Sequence, residues 1–378
     1  MADSLETTTP ISLELPSNAN ENVLRNALLM SSLSGRSVAL TNIRSFCQPS
    51  GLNKPLIAFI ELIASFTNAD VKGCGLGSTT LVFSPQEPLH IKKSISLDLQ
   101  GPYGIGMNLV PLVICALYQQ KKITISAIGS THGNDFFSVD VLREHVLKPL
   151  HPYAFLLTVT SDKIACQPDG DGQTHVVLEG KHALDNRIPS FSLQLQPTLI
   201  SIRACLIASK ELFVQNTLEH VEDLLHLSLS DYSVPVVIDK QYVQTTESSI
   251  ALCVSGLFGS ADGYDNDTPW IKTINSYYDS QALTQKDDFD TKLYADIAHF
   301  KKELTSTRVD AVLAEQLLPL IALQGGKLVC ENVTSRLKDY IFVFEQILSV
   351  TISIEDNVIS SKGFASSIEP EVWSLDEL

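Results

Sequence analysis

One order of elements recurs along this chain, helix, strand, helix, strand, strand, complete in two copies and with one closing strand read in a third. No other feature limits its fold as tightly. In the first copy Asn22 to Leu33 reads as a helix, with Val23, Ala27 and Met30 on one side and Leu24 and Leu28 on the adjoining one. Ser34-Gly35-Arg36 stops it. Ser37 to Ile43 then reads as a strand, Leu56 to Phe66 as a second helix, and Ala69 to Lys72 and Thr79 to Ser84 as two strands around a glycine-rich turn. In the second copy a leading strand (Ser94 to Leu99) precedes a helix at Gly106 to Tyr118 and a strand at Ile123 to Ala127. A helix at Val139 to Leu150 and strands at Ala154 to Thr160 and Thr174 to Leu178 complete it. The third copy takes Ile250 to Gly256 as leading strand, Val309 to Leu323 and Leu337 to Leu348 as helices, and Lys327 to Asn332 and Thr351 to Glu355 as strands. Such self-similarity marks a modular fold whose units share a core. Two helices on one face of a small sheet in each unit make the fold class α/β (α+β), three βαβαββ-type repeats.

A different rhythm interrupts the repeats. Residues 182–247 carry a strand (Leu199 to Ile207), a helix striped by Leu212, Val214, Leu218, Val221, Leu224 and Leu225, and a strand at Val234 to Ile238. We expect a smaller α/β domain inserted there. The body then comprises 1–181 (units 1 and 2) and 248–365 (unit 3). Residues 259–306 are polar and charged, which predicts a loop followed by a surface helix at Thr291 to Leu304. The tail 366–378 is acidic and holds Trp373.

The crossing from strand to helix in unit 2 is the richest local segment, G-S-T-H-G-N-D-F-F-S-V-D-V-L-R-E-H over Gly129 to His145. Glycine, Asn134 and Asp135 suit a tight turn. Ser138 is placed to accept from an N–H of the first helical turn. Val139, Leu142, Val146 and Leu150 form one apolar stripe. A well-made connection explains all of this. The sharper reading is an anion or partner site at the helix N-terminus, served by Thr131, His132 and Arg143.

Charge narrows the function. The chain has 378 residues and a net charge of −16, with 44% hydrophobic and 19% charged residues. An acidic body repels phosphate backbones at long range, so RNA contact has to be local. Seven cysteines without a C-x-x-C predict reduced thiols. No charged-then-apolar leader opens the chain, and Leu109 to Tyr118 is too short to span a bilayer, so we expect no membrane segment. G-C-G-L-G-S at Gly73 to Ser78 precedes no helix, and no phosphate loop, paired-cysteine spacing, H-E-x-x-H or G-x-S-x-G occurs. We therefore expect no cofactor and no metal.

Several stretches carry a family likeness. The opening helix with S-G-R, the strand ending T-N-I-R, P-S-G-L-N-K (Pro49 to Lys54) and L-G-S-T-T-L-V-F-S-P (Leu76 to Pro85) resemble the RNA 3′-terminal phosphate cyclase family. Gln316 to Gly326 and Phe344 to Ile354 continue the likeness. The resemblance implies repeated βαβαββ units with a small α/β insert. It also implies one of two branches. Enzymes of the family adenylylate themselves on a histidine and cyclise an RNA 3′-phosphate. Cyclase-like members work in the nucleolus with a large ribosome-assembly GTPase on the small-subunit pre-rRNA particle.

The residues favour the second branch. The enzymes' E-G-G-G-Q run corresponds here to Asn18-Ala19-Asn20-Glu21-Asn22, and the position of the nucleophilic histidine falls at Arg336. Arginine stays protonated and offers no lone pair, so it cannot accept AMP as an imidazole does. No histidine follows His299. Gly129 to Arg143, Gly104 to Leu112 and Gly51 to Asn68 resemble the second branch's own runs. The expectation is a non-catalytic nucleolar factor, with an active cyclase or a pre-rRNA endoribonuclease as rivals. As a vestigial anion or RNA pocket we group Arg25, Arg44, Lys54, Arg143 and Arg336, each at or next to a helix end or crossover, with Thr131 and His132 beside them.

Overall fold

The computed structural model describes residues 9–16, 21–119, 121–181, 190–191, 198–259, 270–306 and 308–364. Unit 1 runs β1 (Ile11–Glu14), α1 (Glu21–Ser34), β2 (Val38–Thr41), α2 (Lys54–Ala64), β3 (Asp70–Lys72) and β4 (Leu81–Ser84). Unit 2 runs β5 (Ser94–Asp98), α3 (Ile105–Leu117), β6 (Lys122–Gly129), α4 (Val139–Val141), β7 (Ala154–Lys163) and β8 (Gly172–Gly180). A short strand β9 (Ser190–Phe191) follows. Then come β10 (Thr198–Ser209), α5 (Leu212–Leu229), β11 (Val236–Val243), β12 (Ile250–Gly259), β13 (Trp270–Tyr278), α6 (Ser280–Thr284) and α7 (Lys286–Glu303). The chain closes with α8 (Ala311–Gln324), β14 (Gly326–Val329), α9 (Ser335–Leu348), β15 (Ile352–Glu355) and β16 (Val358–Ser361).

The three units share one topology. Their sheets are ordered β1-β2-β4-β3, β5-β6-β8-β7 and β9-β14-β16-β15. In each the first pair is parallel and the other two pairs antiparallel. A parallel pair needs a crossover, and the first helix of each unit supplies it or lies on it. The strands alternate, as the buried Ile95 and Leu97 of β5 show, so one face of each sheet meets the helices. The helices meet one another: α1 packs on α2, α3 and α9, and α8 on α9. One continuous apolar core runs through all three units, from Leu13 to Ile359. That is why α3 is apolar all round, with Ile105 to Leu117 buried except Met107.

The interruption is longer than the sequence suggested. β12 pairs antiparallel with β10 and β13, in a sheet ordered β11-β10-β12-β13. Ile250 to Gly256 is therefore not the leading strand of unit 3. That place belongs to β9, parallel to β14. The expected boundary at 247/248 falls inside the inserted sheet; within 259–306 the surface helix expected at Thr291 to Leu304 is α7, beginning earlier at Lys286, but β13 and α6 stand where a loop was expected. The apolar run Ile250 to Val254 is buried on both sides of a central strand, a pattern that does not say which sheet it enters. The insert has its own core, with Leu218, Leu225, Leu252, Tyr278 and Phe300. The tail 366–378 and residues 260–269 lie outside the described residues.

The helix expected at Val139 to Leu150 keeps its stripe but not its regularity. Val139, Leu142, Val146 and Leu150 are all buried. After α4 the chain widens into a π-turn over Leu142–Val146, where Leu147 N–H reaches the Leu142 carbonyl, and then tightens into a 3-10 helix at Lys148–Tyr153. Ser138 caps α4 by accepting from Val141 N–H at 3.3 Å.

Candidate functional site

The seven residues singled out from sequence do not share one pocket: two line a cleft, three lie around the start of α4, and Arg44 and Lys54 line neither place. Arg25 and Arg336 line one cleft of about 520 Å³, formed by the N-terminal ends of α1, α3 and α9 together with the Asp135–Phe136 loop. Thr131, His132 and Arg143 sit elsewhere, around the start of α4.

Arg25 is buried in α1 with each of its nitrogens engaged. Nε donates to Asn108 Oδ1 at 2.7 Å, Nη1 to Asn22 Oδ1 at 2.8 Å and Nη2 to Glu21 Oε2 at 2.8 Å. Burial lowers its pKa, and Glu21 opposes that shift. Asn108 in turn donates to the Gly104 carbonyl at 2.8 Å, so the arginine ties unit 1 to the first turn of α3. Glu21 also gathers Arg44, at 3.5 Å from Nε, and accepts from Asn53 Nδ2 at 2.6 Å. Arg44 sits at φ 46° and donates from Nη1 to the Gly51 carbonyl at 2.7 Å. Asn53 caps α2 by accepting from Leu56 N–H at 3.1 Å, which sets Lys54 on the exposed side of a first turn whose Pro55 and Leu56 are buried.

Arg336 lies at the cleft's mouth, its side chain 52% exposed. Thr334 caps α9 by accepting from Leu337 N–H at 3.1 Å and so fixes where Arg336 emerges. Its Nη1 stands 3.4 Å from Glu315 Oε2. Burial raises the Glu315 carboxyl, and Arg336 opposes the shift. The cleft wall is partly aromatic: Phe136 lies against Gly104, where an added Cβ would come within 2.2 Å of the ring. Among the described residues that line this cleft there is no histidine.

Thr131 and His132 act as a pin. Thr131 is buried, donates to the Ala165 carbonyl at 2.9 Å and accepts from Ala165 N–H at 3.1 Å. Its hydroxyl is 2.8 Å from His132 Nδ1, and His132 Nε2 is 3.0 Å from Asp140 Oδ2. Burial alone would raise the Asp140 carboxyl, but His132 and Arg143 outweigh it and hold the group below its ordinary value. For Thr131 the bland reading of the sequence, a well-made connection, describes what it touches. Arg143 alone of the three reaches outward, with Nη2 on Asp140 and Nε 3.1 Å from Glu144.

A second polar cleft, also about 520 Å³, lies between unit 2, the insert and α8. His145 Nε2 is 2.8 Å from Asp310 Oδ2, and Asp310 also caps α8 through Leu313 N–H. Burial would raise Asp310; His145, then the Leu313 N–H, drive it well below the carboxylate range. Asp135, Asp296, Glu303 and Glu331 line the same cleft, so it repels phosphate. Neither His145 nor its partner stood out in the sequence, because they are 165 positions apart.

One Ser–His–Asp set does assemble. Ser126 Oγ is 2.8 Å from His175 Nδ1, and Asp162 Oδ2 lies 3.2 Å from Nε2. Ser126 and His175 are cross-strand neighbours on β6 and β8, and Asp162 is the extra residue of a bulge in β7. No cleft among those described adjoins them, and a cross-strand polar contact accounts for the set. Among the described residues no group of three or more His, Cys, Asp or Glu side chains is placed to hold a metal, and no helix is long and apolar enough to cross a membrane.

The pattern that defines the RNA 3′-terminal phosphate cyclase family matches residues 19–354. Proteins named RNA 3′-terminal phosphate cyclase are similar along most of their length. That of Methanococcoides burtonii is 25% identical over 338 residues, 88% of this chain and 92% of its own. That of Methanosarcina acetivorans is 24% identical over 347 residues, 88% and 93% of the two chains, and that of Pyrococcus abyssi 22% over 347, 89% and 92%.

Proposed function

This chain belongs to the RNA 3′-terminal phosphate cyclase family, and on that premise we propose that it works as a non-catalytic member in ribosome biogenesis. In this reading it acts in the nucleolus, docks a large ribosome-assembly GTPase and joins the small-subunit pre-rRNA particle, with local RNA contact and no cofactor. The observation that carries the reading is Arg336. By resemblance it stands where the family's nucleophilic histidine would be, and it lies at the mouth of the cleft that Arg25 anchors. A guanidinium there can hold an anion but cannot form a phosphoramidate. Arg25 is bonded to Glu21, Asn22 and Asn108, which favours a structural duty for it over a reacting one. The likeness of Gly129 to Arg143 to the cyclase-like branch supports the nucleolar partners.

The test is incubation of the purified chain with α-labelled ATP, beside the Methanococcoides burtonii relative. No covalent AMP should appear on this chain. An adduct would overturn the reading and point to an active cyclase, in which case His145, paired with Asp310, is the first histidine to substitute. Cleavage of a pre-rRNA spacer by the pure protein, lost on a point change, would favour an endoribonuclease instead. Affinity capture should recover a large GTPase with small-subunit processing factors; recovery of neither would count against the docking role.

A further inference from the structure

Two cysteines of the insert stand directly opposite each other. β10 and β12 run antiparallel, and their register pairs Cys205 with Cys253. Residues paired in this way put their side chains on one face of the sheet, with Cα atoms about 4.5–5.5 Å apart. A disulfide needs about 4.4–6.8 Å between Cα atoms, so the backbone spacing already suits a bond. Both thiols are free. The face they share is turned to unit 2, where Cys253 belongs to the repeats' core and Cys205 packs against it. The two differ in access. Cys253 is 2% exposed, with its Sγ 3.9 Å from Ser255 Oγ. Cys205 is half-buried and lines a cleft of about 250 Å³ at the seam between unit 2 and the insert, beside Arg143, Arg203 and Lys240.

We propose that Cys205 and Cys253 form a redox-sensitive lock on the insert, closed by hydrogen peroxide entering through the seam cleft. The Cys205 thiolate attacks one peroxide oxygen and the O–O bond breaks. A sulfenic acid forms on Cys205, and the thiol proton leaves with the departing hydroxide as water. The Cys253 sulfur then displaces the sulfenic hydroxyl, which takes the second thiol proton as a second water, and the S–S bond forms. Two electrons pass from the two sulfurs to the peroxide. Burial pushes the Cys205 thiol up to about 11; Asp140 adds to that shift, and Arg203 and Arg143 oppose it. Cys253 is driven well above its ordinary value, by burial first. Both stay protonated at neutral pH, so the lock is slow to close and stays open at low peroxide. Access decides that Cys205 reacts first. Once made, the bond ties together the two central strands of the insert's sheet and encloses α5 and β11 between its ends. β10 then no longer parts from β12 when the insert opens.

The experiment exposes the full, folded chain to a hydrogen peroxide series, alkylates the remaining thiols and maps digests by mass spectrometry before and after reduction. A peptide linking Cys205 to Cys253 should appear, and this readout needs no variant. C253S removes the second step, so dimedone should label a sulfenic acid on Cys205 at least about fivefold more than in wild type. C205S should give no link. C47S, at an exposed cysteine of unit 1, should leave the link intact. Oxidised wild type should melt higher than reduced, a gain that reduction reverses and C205S lacks. Melts of the reduced variants check that each is folded. Cys205 and Cys253 both free when Cys47 is fully oxidised, a link that forms only in denaturant, or Cys253 joined to a different cysteine would each overturn the proposal.

Discussion

Arg25 shows how far a single residue can be read from sequence. Its charge and its place near a helix start marked it as an anion ligand. The structure surrounds it instead with acceptors from α1 and α3. Removing it strands Glu21, Asn22 and Asn108, so R25A should cost about 3 kcal/mol or more in urea unfolding. Asp310 gives a prediction with a sign. Its folded pKa lies below that of an unfolded carboxyl, so its contribution is present above about pH 4 and is lost as pH falls through the folded value. D310N should therefore be less stable at neutral pH and lose less stability than wild type on acidification, read as melting temperature against pH. Neither the partner of His145 nor Asn108, the distant partner of Arg25, was legible in the sequence, whereas Glu21 and Asn22 lie one turn from Arg25 on the same helix. Pairings across 83 or 165 positions are set by packing, not by local pattern.

At the level of elements the repeats were legible because each carries its own punctuation. The second helix of every unit begins with a side-chain cap: Asn53, Ser138 and Thr334. T334A should cost about 1 kcal/mol in chemical denaturation and loosen the first turn that presents Arg336. The P-S-G-L-N-K run has a similar cause. Gly51 sits at φ +76°, and a Cβ there would lie 2.2 Å from the Gly77 carbonyl oxygen. G51A should destabilise unit 1 by about 2 kcal/mol, from strain plus a backbone clash. The π-turn after α4 was not legible. The apolar stripe runs unbroken through it, and an extra residue per turn leaves a spacing of three and four almost unchanged.

At the level of the whole molecule, the two large cores meet across a seam that is apolar at one place, where Cys166 of unit 2 packs with Ile207, Val243, Ala251 and Tyr277 of the insert, and polar at another. Lys272 on β13 is fully buried there. Its Nζ donates to Glu303 Oε2 at 3.1 Å, Glu331 Oε1 at 2.8 Å and the Arg308 carbonyl at 2.5 Å. It thereby joins the insert's own α7 to the segment that follows β14. Asp169 with Thr246, and Tyr277 with the Gln167 carbonyl, hold the opposite side to unit 2. K272A leaves two carboxylates uncompensated and should cost about 3–5 kcal/mol. Amide exchange should then quicken first in β13 and around Glu331; uniform exchange across the chain would contradict a seam role for the lysine.

Periodicity, caps and turn glycines are properties of neighbouring residues, and from them the sequence determined the paired helices of three repeated units, all the strands of the second and the presence of an α/β insert; β9 and β16 of unit 3 were not legible. It did not determine which sheet Ile250–Gly259 would enter, since an apolar strand satisfies any sheet centre. Nor did it determine which charges would share a cleft. Arg143 meets Arg203 and Lys240 because the insert docks against unit 2, and His145 meets Asp310 because unit 2 packs against α8 of unit 3. That docking is a matter of burial and pairing between distant surfaces, which no local spacing encodes.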